Sequence, residues 1–583
     1  MKKAKLFFSA LLALVTIAAT AQNVTVSGVV RDASTGEGVP FASVMVKGTT
    51  NGVPSDANGN YTLSAPSSAV LVVSAVGYTP VEVDVVGRTT INVTLEADVE
   101  FLEETIVVGY GSSKKVSSLV GSVQTVNSET LKNAPSSSAL DQLQGQVAGL
   151  SVLSFSGVAG DNAVSMTLHG VGSLGASSTP LYVIDGIPSS SRSIMAMNPN
   201  DIESISILKD AAATSIYGSR AANGVVFVTT KAGSYNERSS VTVRSQYGMS
   251  TLANPQVYEN MMSGDELKDF WVRSGIYTAD YVKATFTDKG YDNNTEWYKV
   301  MMNLVTPQYQ NDVTFQGGGQ KVAYMISGSQ FHQEGFTPGN FYDRYTVRSN
   351  VQARPADWIK VGVNVNLSMD INQQNGNWGS ALMGNGANYT AGGLSFLLNP
   401  LYPAYDENGE LYPELFPGSN QKNPNFYMEN NPDQYDRYGA NGSVFLELEP
   451  VRNLKFVSRA GIDGYVKFNT WSQTPSYNAN YGSAGSSAYI GRTASLEYSA
   501  TITNTVEYTY EINHNNKFSV LAGHEGVANY YDYFGARSEG FTDDRVVMLP
   551  IGDPLKFKVY ESFSASKFLS FFGHADYTLF DRY

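Results

Sequence analysis

The chain contains no cysteine in 583 residues. That absence excludes a disulfide framework, a cysteine-based zinc site, thiol catalysis and a cysteine-linked lipid anchor. Histidine is scarce. His169, His332, His514, His524 and His574 show neither H-E-x-x-H nor i,i+4 spacing, so no metal site or catalytic base is read from them. No G-x-S-x-G elbow and no Walker loop is present, so no cofactor is expected and energy for work must come from a partner. Positive charge is the minority sign. The 39 Lys and Arg stand against 53 Asp and Glu, for a net charge of −14. With no basic cluster to hold phosphates, no nucleic-acid partner is expected. Long hydrophobic runs are also missing. Leu6–Ala19 falls short of the roughly 18 apolar residues a spanning helix needs. Lys2, Lys3 and Lys5 precede it and Ala19-Thr20-Ala21 follows, so residues 1–21 read as a signal peptide, and its removal takes the charge to −17. If a membrane is crossed, strands cross it.

What is abundant is β-forming: 36 Tyr, 27 Phe and 54 Gly suit strands, membrane interfaces and turns. From Tyr235 onward the chain alternates period-two strands with turns. In Ile359–Asp370, Ile359, Val361, Val363, Val365, Leu367 and Met369 share one face, and Lys360, Gly362, Asn364, Asn366, Ser368 and Asp370 the other. A soluble sandwich strand gives the same alternation, so the connections decide. Short turns fall at Gly317–Gln320, Arg354–Asp357, Pro450–Asn453 and Asn513–Asn516. Long connections fall at Thr251–Gln308, Glu334–Phe341, Asn372–Tyr438, Thr470–Ile490 and Tyr530–Ser562. Short turns alternating with longer loops are the pattern of an outer-membrane barrel.

Length alone suggests about four domains. After the leader, residues 22–96 hold short β-branched runs at Val24–Val30, Ala42–Val46, Asn60–Leu63, Val70–Val76, Val81–Val85 and Thr90–Leu95, at the spacing of a small sandwich. Asp56-Ala57-Asn58-Gly59-Asn60 looks like the start of a calcium loop, but Ser67 stands where an EF-hand needs Glu, so a hairpin turn is expected. Residues 97–118 form a linker with a β-prone island, Thr105-Ile106-Val107-Val108. It reads as an edge strand or as a peptide captured by strand addition. Residues 119–233 mix strands with helices. Ser138 and Asp141 give a helix cap, Leu140, Leu143 and Val147 an apolar stripe, and Gly149 the stop. Strands are expected at Leu150–Phe155, Val164–Leu168, Leu181–Ile184, Ser204–Leu208 and Val225–Thr230, with a helix over Ala211–Tyr217. Asp185-Gly186 reads as a turn, and Asp201 and Glu203 as helix-start residues. Asp210 and Arg220 are expected to form hydrogen bonds within this domain. A wide barrel would leak unless plugged, and a domain placed between linker and barrel is a natural plug.

An ordered set of blocks now becomes specific: Leu143–Gly149, Thr179-Pro180-Leu181-Tyr182-Val183-Ile184-Asp185-Gly186 and Asn198–Ile205. Lys209-Asp210-Ala211-Ala212-Ala213, Ile216-Tyr217-Gly218-Ser219-Arg220-Ala221-Ala222-Asn223-Gly224-Val225 and Thr229-Thr230-Lys231 complete it. Together they resemble the plug of SusC/RagA-family TonB-linked transporters. The likeness runs through sandwich, linker, plug and the start of the barrel. Residues 22–96 resemble a carboxypeptidase-regulatory-like, transthyretin-like sandwich, a non-catalytic accessory domain. The resemblance implies a TonB box at Thr105, Ile106, Val107 and Val108. It implies a plug motif carried by Asp185, Gly186, Asp201, Glu203, Lys209, Asp210, Tyr217, Gly218, Arg220, Asn223 and Gly224. Its implied partners are TonB, a SusD/RagB-like surface lipoprotein, outer-membrane lipid, and an oligosaccharide or oligopeptide substrate. Gln146 and Thr167-Leu168-His169-Gly170 depart from the commonest pattern, and His169–Ile184 looks closer to the RagA branch, which takes peptides.

The expected fold is therefore mainly β: a transthyretin-like sandwich, an α+β plug, and residues 234–583 as part of an antiparallel transmembrane barrel. About ten strands are counted, where plugged transporters close with about 22. The chain is thus expected to be the N-terminal part of a longer protein. Two other functions compete with import. A passive porin or adhesin leaves the plug blocks and the Thr105–Val108 island without a role. A secreted hydrolase lacks an acid/base or nucleophile constellation.

Overall fold

The computed structural model describes residues 23–579, apart from 34–35, 41, 48, 50, 57, 76–77, 79–80, 96–104, 110–111, 116–122, 129–137, 155–158, 161–163, 174–176, 210–213, 376–394, 397, 411, 413–431, 476–486, 514–515 and 547. Residues 1–21, read from sequence as a signal peptide, Asp210 and most of the Asn372–Tyr438 connection lie outside the described residues. The chain forms two compact units, one reaching Ile106 with Ser113–Ser117, the other Val107–Ser112 and Ser118 onward.

The first unit holds strands β1 (Asn23–Asp32), β2 (Ser43–Val46), β3 (Gly52–Pro54), β4 (Asn60–Pro66), β5 (Val70–Ser74), β6 (Val81–Asp84) and β7 (Val93–Leu95). They make two sheets, β4-β1-β7 and β3-β2-β5-β6. Alternation does the work: Tyr61, Leu63 and Ala65 of β4 point inward with Val26, Val30, Leu71 and Val73. The turn at Asp56 forms, its Oδ1 accepting from the amides of Asn58 and Asn60 at 2.8 Å each. It does not close a hairpin, because β3 and β4 belong to different sheets. The short β3 escaped the sequence reading. In the linker, β8 (Thr105–Gly109) and β9 (Ser112–Lys115) form a two-stranded sheet.

The second unit begins with a mixed sheet in the order β10-β15-β16-β13-β14, built from β10 (Val123–Asn127), β13 (Leu181–Ile184), β14 (Ile187–Ser189), β15 (Ile202–Leu208) and β16 (Val225–Thr230). Beside it lies the hairpin of β11 (Leu150–Ser154) and β12 (Val164–Leu168). Leu140, Leu143 and Val147 do enter the core, with Met166, Ile205 and Val228. The helix expected there does not form. Only Asp141–Leu143 is helical, as a 3-10 turn, and Ser138 Oγ accepts from the Leu140 amide instead of capping a longer helix. Gln144 leaves the helical region with ψ 124°, and Gly145 has φ 74°, which breaks the run. Of the helix expected over Ala211–Tyr217, residues 211–213 lie outside the described residues, and Ser215–Ala221 is a kinked 3-10 segment, bent at Gly218. Glu203 is not a helix-start residue; it points outward from β15, whereas Asp201 ends a 3-10 turn capped by Asn198.

Ten antiparallel strands follow, each paired with its neighbour in sequence: β17 (Ser240–Thr251), β18 (Val305–Gly318), β19 (Val322–Glu334), β20 (Phe341–Ala356), β21 (Ile359–Asn375), β22 (Pro432–Val451), β23 (Leu454–Gln473), β24 (Tyr489–Asn513), β25 (Asn516–Glu539) and β26 (Lys558–Leu579). The strands run well past the expected bounds. β25 continues to Glu539 and β26 begins at Lys558, so much of Tyr530–Ser562 is strand, not loop. Among the described residues no helix is long and apolar enough to cross a membrane.

The first long connection is folded as well. Gly264–Arg273 is a helix with a full capping box between Ser263 and Glu266, and Ala279–Thr285 and Trp297–Met301 are helices too. Trp297 Nε1 donates to Asn399 O at 2.8 Å, and Thr295 Oγ1 to Tyr402 O at 2.6 Å. Two connections far apart in sequence thus make one small cap over the long-connection end of the sheet, with Trp297, Tyr298, Met301, Leu398 and Ala404 as its core.

Candidate functional site

The ten-stranded sheet is built inside out. On β20, Arg344 and Thr346 are buried, while Val347 is 57 % exposed. On β21, Asp370 is 1 % exposed and Leu367 50 %. Apolar residues line the solvent-facing side and polar ones the buried side. In water this arrangement would waste apolar burial; against lipid it is the expected one.

The polar face receives the plug. Asp312 accepts from Asn198 Nδ2 at 2.9 Å and Asn200 Nδ2 at 2.8 Å. Ser327 Oγ donates to Asp201 Oδ2 at 2.9 Å. Burial of Asp201 pushes its carboxyl above the usual carboxylate range. Arg344 Nη1 donates to Met195 O at 3.0 Å, Asn441 Nδ2 to Ser189 Oγ at 3.0 Å, and the Ser190 amide to Asp463 Oδ2 at 2.8 Å. Asp185 takes the Thr230 amide and hydroxyl and, across the seat, Arg348 Nη2.

The residues singled out from sequence separate into groups. Asp185, Asp201 and Arg220 reach the ten-stranded sheet. Among the described residues Arg220 pairs with Glu525 of β25, outside the plug. Asp185 and Gly186 form the expected turn, with φ 48° and 85°, and a Cβ on Gly186 would lie 2.4 Å from Arg459 Nη1. Lys209, Tyr217, Asn223 and Gly224 make their contacts within the plug. Lys209 Nζ donates to Gln124 Oε1 at 2.8 Å, and Asn223 Nδ2 to Ser177 O at 2.8 Å. Tyr217 packs with Val183, Leu208 and Phe227. Thr105–Val108 has its backbone in β8. Sequence reasoning missed Arg344, Arg348, Asp312 and Asp463. The usable signal was a charge on the polar face of a strand whose other face is apolar.

Two cavities open between the plug and β22–β26. One of about 540 Å³ is lined by Leu181, Ser189, Arg220, Asp463, Tyr498 and Phe568. The other, of about 790 Å³, is lined by Arg192, Asp433, Tyr465, Lys467, Trp471 and Glu497 among others. Asp433 and Trp471 place the second toward the long-connection end of β22 and β23. Among the described residues no group of His, Cys, Asp and Glu could hold a metal.

Residues 115–225 match the TonB-dependent Receptor Plug Domain, and residues 26–108 the CarboxypepD_reg-like domain. The TonB-dependent receptor P26 of Formosa agariphila is 34 % identical over 554 residues, covering 94 % of this chain and 54 % of that protein. The TonB-dependent receptor SusC of Bacteroides thetaiotaomicron is 29 % identical, covering 100 % and 58 %. A structure of the RagAB peptide importer in the open-open state aligns with TM-score 0.73 and 33 % identity, over 82 % of this chain and 55 % of that one. The chain thus spans a little over half the length of the relatives it matches. The plug blocks, the inside-out sheet around the plug and these relatives agree: the chain belongs to the SusC/RagA family of TonB-dependent receptors.

Proposed function

We propose that the protein carrying this chain imports an oligomeric nutrient, a glycan fragment or an oligopeptide, across the outer membrane, driven by TonB. The observation that carries this reading is the plug seated on the buried polar face of a sheet whose other face is apolar. A passive porin needs no such seat, and the named relatives are receptors and importers rather than enzymes. In this reading residues 1–21 are the leader, 22–96 the accessory sandwich, 97–118 the tether, 119–233 the plug and 234–583 barrel. Sandwich and plug face the periplasm, and the cap side faces outward. Thr105–Val108 is the TonB box; its extended backbone in β8 is the form that strand addition requires. A SusD/RagB-like lipoprotein is the lid partner. The cap supports that assignment, because it exposes Phe270, Ile276, Tyr277 and Tyr281, with Tyr277 stacked on Tyr281 at 4.7 Å.

The test is deletion of Glu104–Gly109 in the full-length protein. Energised uptake should disappear, while assembly in the outer membrane and substrate binding persist. Undiminished uptake removes the TonB-box assignment.

A further inference from the structure

The plug meets the ten-stranded sheet in two different ways. Along β18–β21 polar side chains bridge the seam directly. Asp312 takes Asn198 and Asn200, Ser327 bonds Asp201, and Arg348 bonds Asp185. Asn372 Nδ2 donates to Ala159 O at 3.2 Å. A cavity of about 200 Å³ at β17–β19 is crossed by the Arg244–Asn200 hydrogen bond. Along β23–β26 the two larger cavities instead lie end to end, sharing Ser190, Tyr465, Glu497 and Tyr531. Together they descend along β25 from Tyr533 to Val527, toward its short-turn end.

The descent stops at Arg220. This residue lines the cavity of about 540 Å³ and pairs with Glu525, the next inward-facing position past Val527. Glu525 is buried and takes Thr503 Oγ1 at 3.4 Å. Beside the pair, Phe572 of β26 packs on the plug cluster of Tyr217, Leu208 and Val225. Arg220 rides on the segment bent at Gly218, whose φ 61° and ψ −147° favour glycine, and a Cβ there would meet nothing within 4 Å. The arm carrying Arg220 therefore has a glycine hinge with open space beside it. A buried carboxylate parted from its cation is costly, so the pair recloses unless work holds it apart.

We propose that solute passes between the plug and β23–β26, and that the Arg220–Glu525 pair is the gate at the bottom of this route. The seam along β18–β21 stays bonded while the gate opens. The proposal rests on the import reading above and adds its path.

The chain has no cysteine, so single thiol reporters can be placed in a cysteine-free full-length background. Leu521, inward on β25 beyond the gate, and Met325, inward on β19 at the bonded seam, are 5 % and 1 % exposed. Each is changed to cysteine in cells whose Glu104–Gly109 is deleted, so that no energised opening contributes. A hydrophilic maleimide too large for general porins is added outside, and labelling is timed. Leu521→Cys should label slowly. Adding Arg220→Met or Glu525→Gln should speed its labelling about tenfold, with protein abundance and heat-modifiable migration unchanged. Arg220→Lys, which keeps the charge, should stay near the parent, and Met325→Cys should label slowly throughout. Equal labelling of Leu521→Cys in the parent and both gate variants overturns the gate. Labelling of Met325→Cys that rises together with Leu521→Cys overturns the route. Uptake separates this proposal from the reading beneath it. Energised uptake of an oligosaccharide or oligopeptide mixture that needs Thr105–Val108, with equal labelling, keeps the import reading and sinks the gate. Faster labelling in the gate variants, with no energised uptake of either mixture by the undeleted protein, does the reverse.

Discussion

Asp185 and Arg348 are 163 positions apart in the chain and meet at 3.1 Å where the plug rests on β20. Arg348 also donates to the Thr230 hydroxyl, so one strand side chain clamps two plug segments. Such a pair adds little net stability against a well-packed apolar alternative, yet removing one partner strands the other. Arg348→Met is expected to cost about 3 kcal/mol of plug seating. It should raise outer-membrane permeability to large antibiotics at unchanged protein level. Adding Asp185→Asn should recover part of the barrier. A single variant as tight as the parent would show that the clamp is not needed.

Gly224 has φ 88°, and a Cβ there would lie 2.3 Å from Leu168 Cδ1 and 3.0 Å from Leu208 O. Gly224→Val adds this clash to backbone strain of about 1–3 kcal/mol. Loss of protease resistance across residues 150–230 is the expected readout. Gly218→Ala, with no atom within 4 Å of the new Cβ, should be the milder change.

In the sandwich, hydrogen bonds from the Asn60 side chain and amide hold the exposed Asp56 carboxyl below its usual range. Its folded value is therefore lower than its unfolded one. The stabilisation is present above the unfolded value and is lost as pH falls through the folded value. Thermal melts from about pH 5 to pH 3 should show the parent losing more stability than Asp56→Asn. Parallel curves would mean the turn contributes nothing through this charge.

Trp297 is buried and ties the two halves of the cap. Trp297→Ala is expected to cost the cap about 3–5 kcal/mol. Proteolysis within 395–412 should rise and co-purification with a lid lipoprotein should fall, while the barrel still shows heat-modifiable migration. Unchanged pull-down would place the lid contact elsewhere.

Periodicity made the sandwich and the large sheet legible, because each strand obeys a local rule: Tyr61, Leu63 and Ala65 inward in β4, Val363, Val365 and Leu367 to one side in β21. The helix at Ser138–Gly149 failed because the same apolar spacing that marks a helix also fits a turn segment feeding a core, and Gly145 decides between them. The plug seat was only half visible. Asp185 and Asp201 stood out by their blocks, but their partners Arg348 and Ser327 are spread over later strands, and pairing across 163 or 126 positions leaves no local trace. The cap hid for the same reason, although Ser263 and Glu266 were readable as a capping box.

The length of the strands has its own consequence. Val444, Ala460 and Ile502 pair across β22, β23 and β24 as an apolar row; on the same face, Gln434, Thr470 and Arg492 form a polar row ten residues nearer the long connections. β24 has 25 residues. At roughly 3.4 Å each it runs about 85 Å, and even tilted near 40° it rises about 65 Å, roughly twice the hydrocarbon thickness. Along β24 the sheet therefore continues beyond the lipid. The wall is uneven: β17 and β18, which lead into the cap, have 12 and 14 residues and rise only about 30–40 Å, so the cap is reached from the membrane surface over the low side of the sheet rather than over β24.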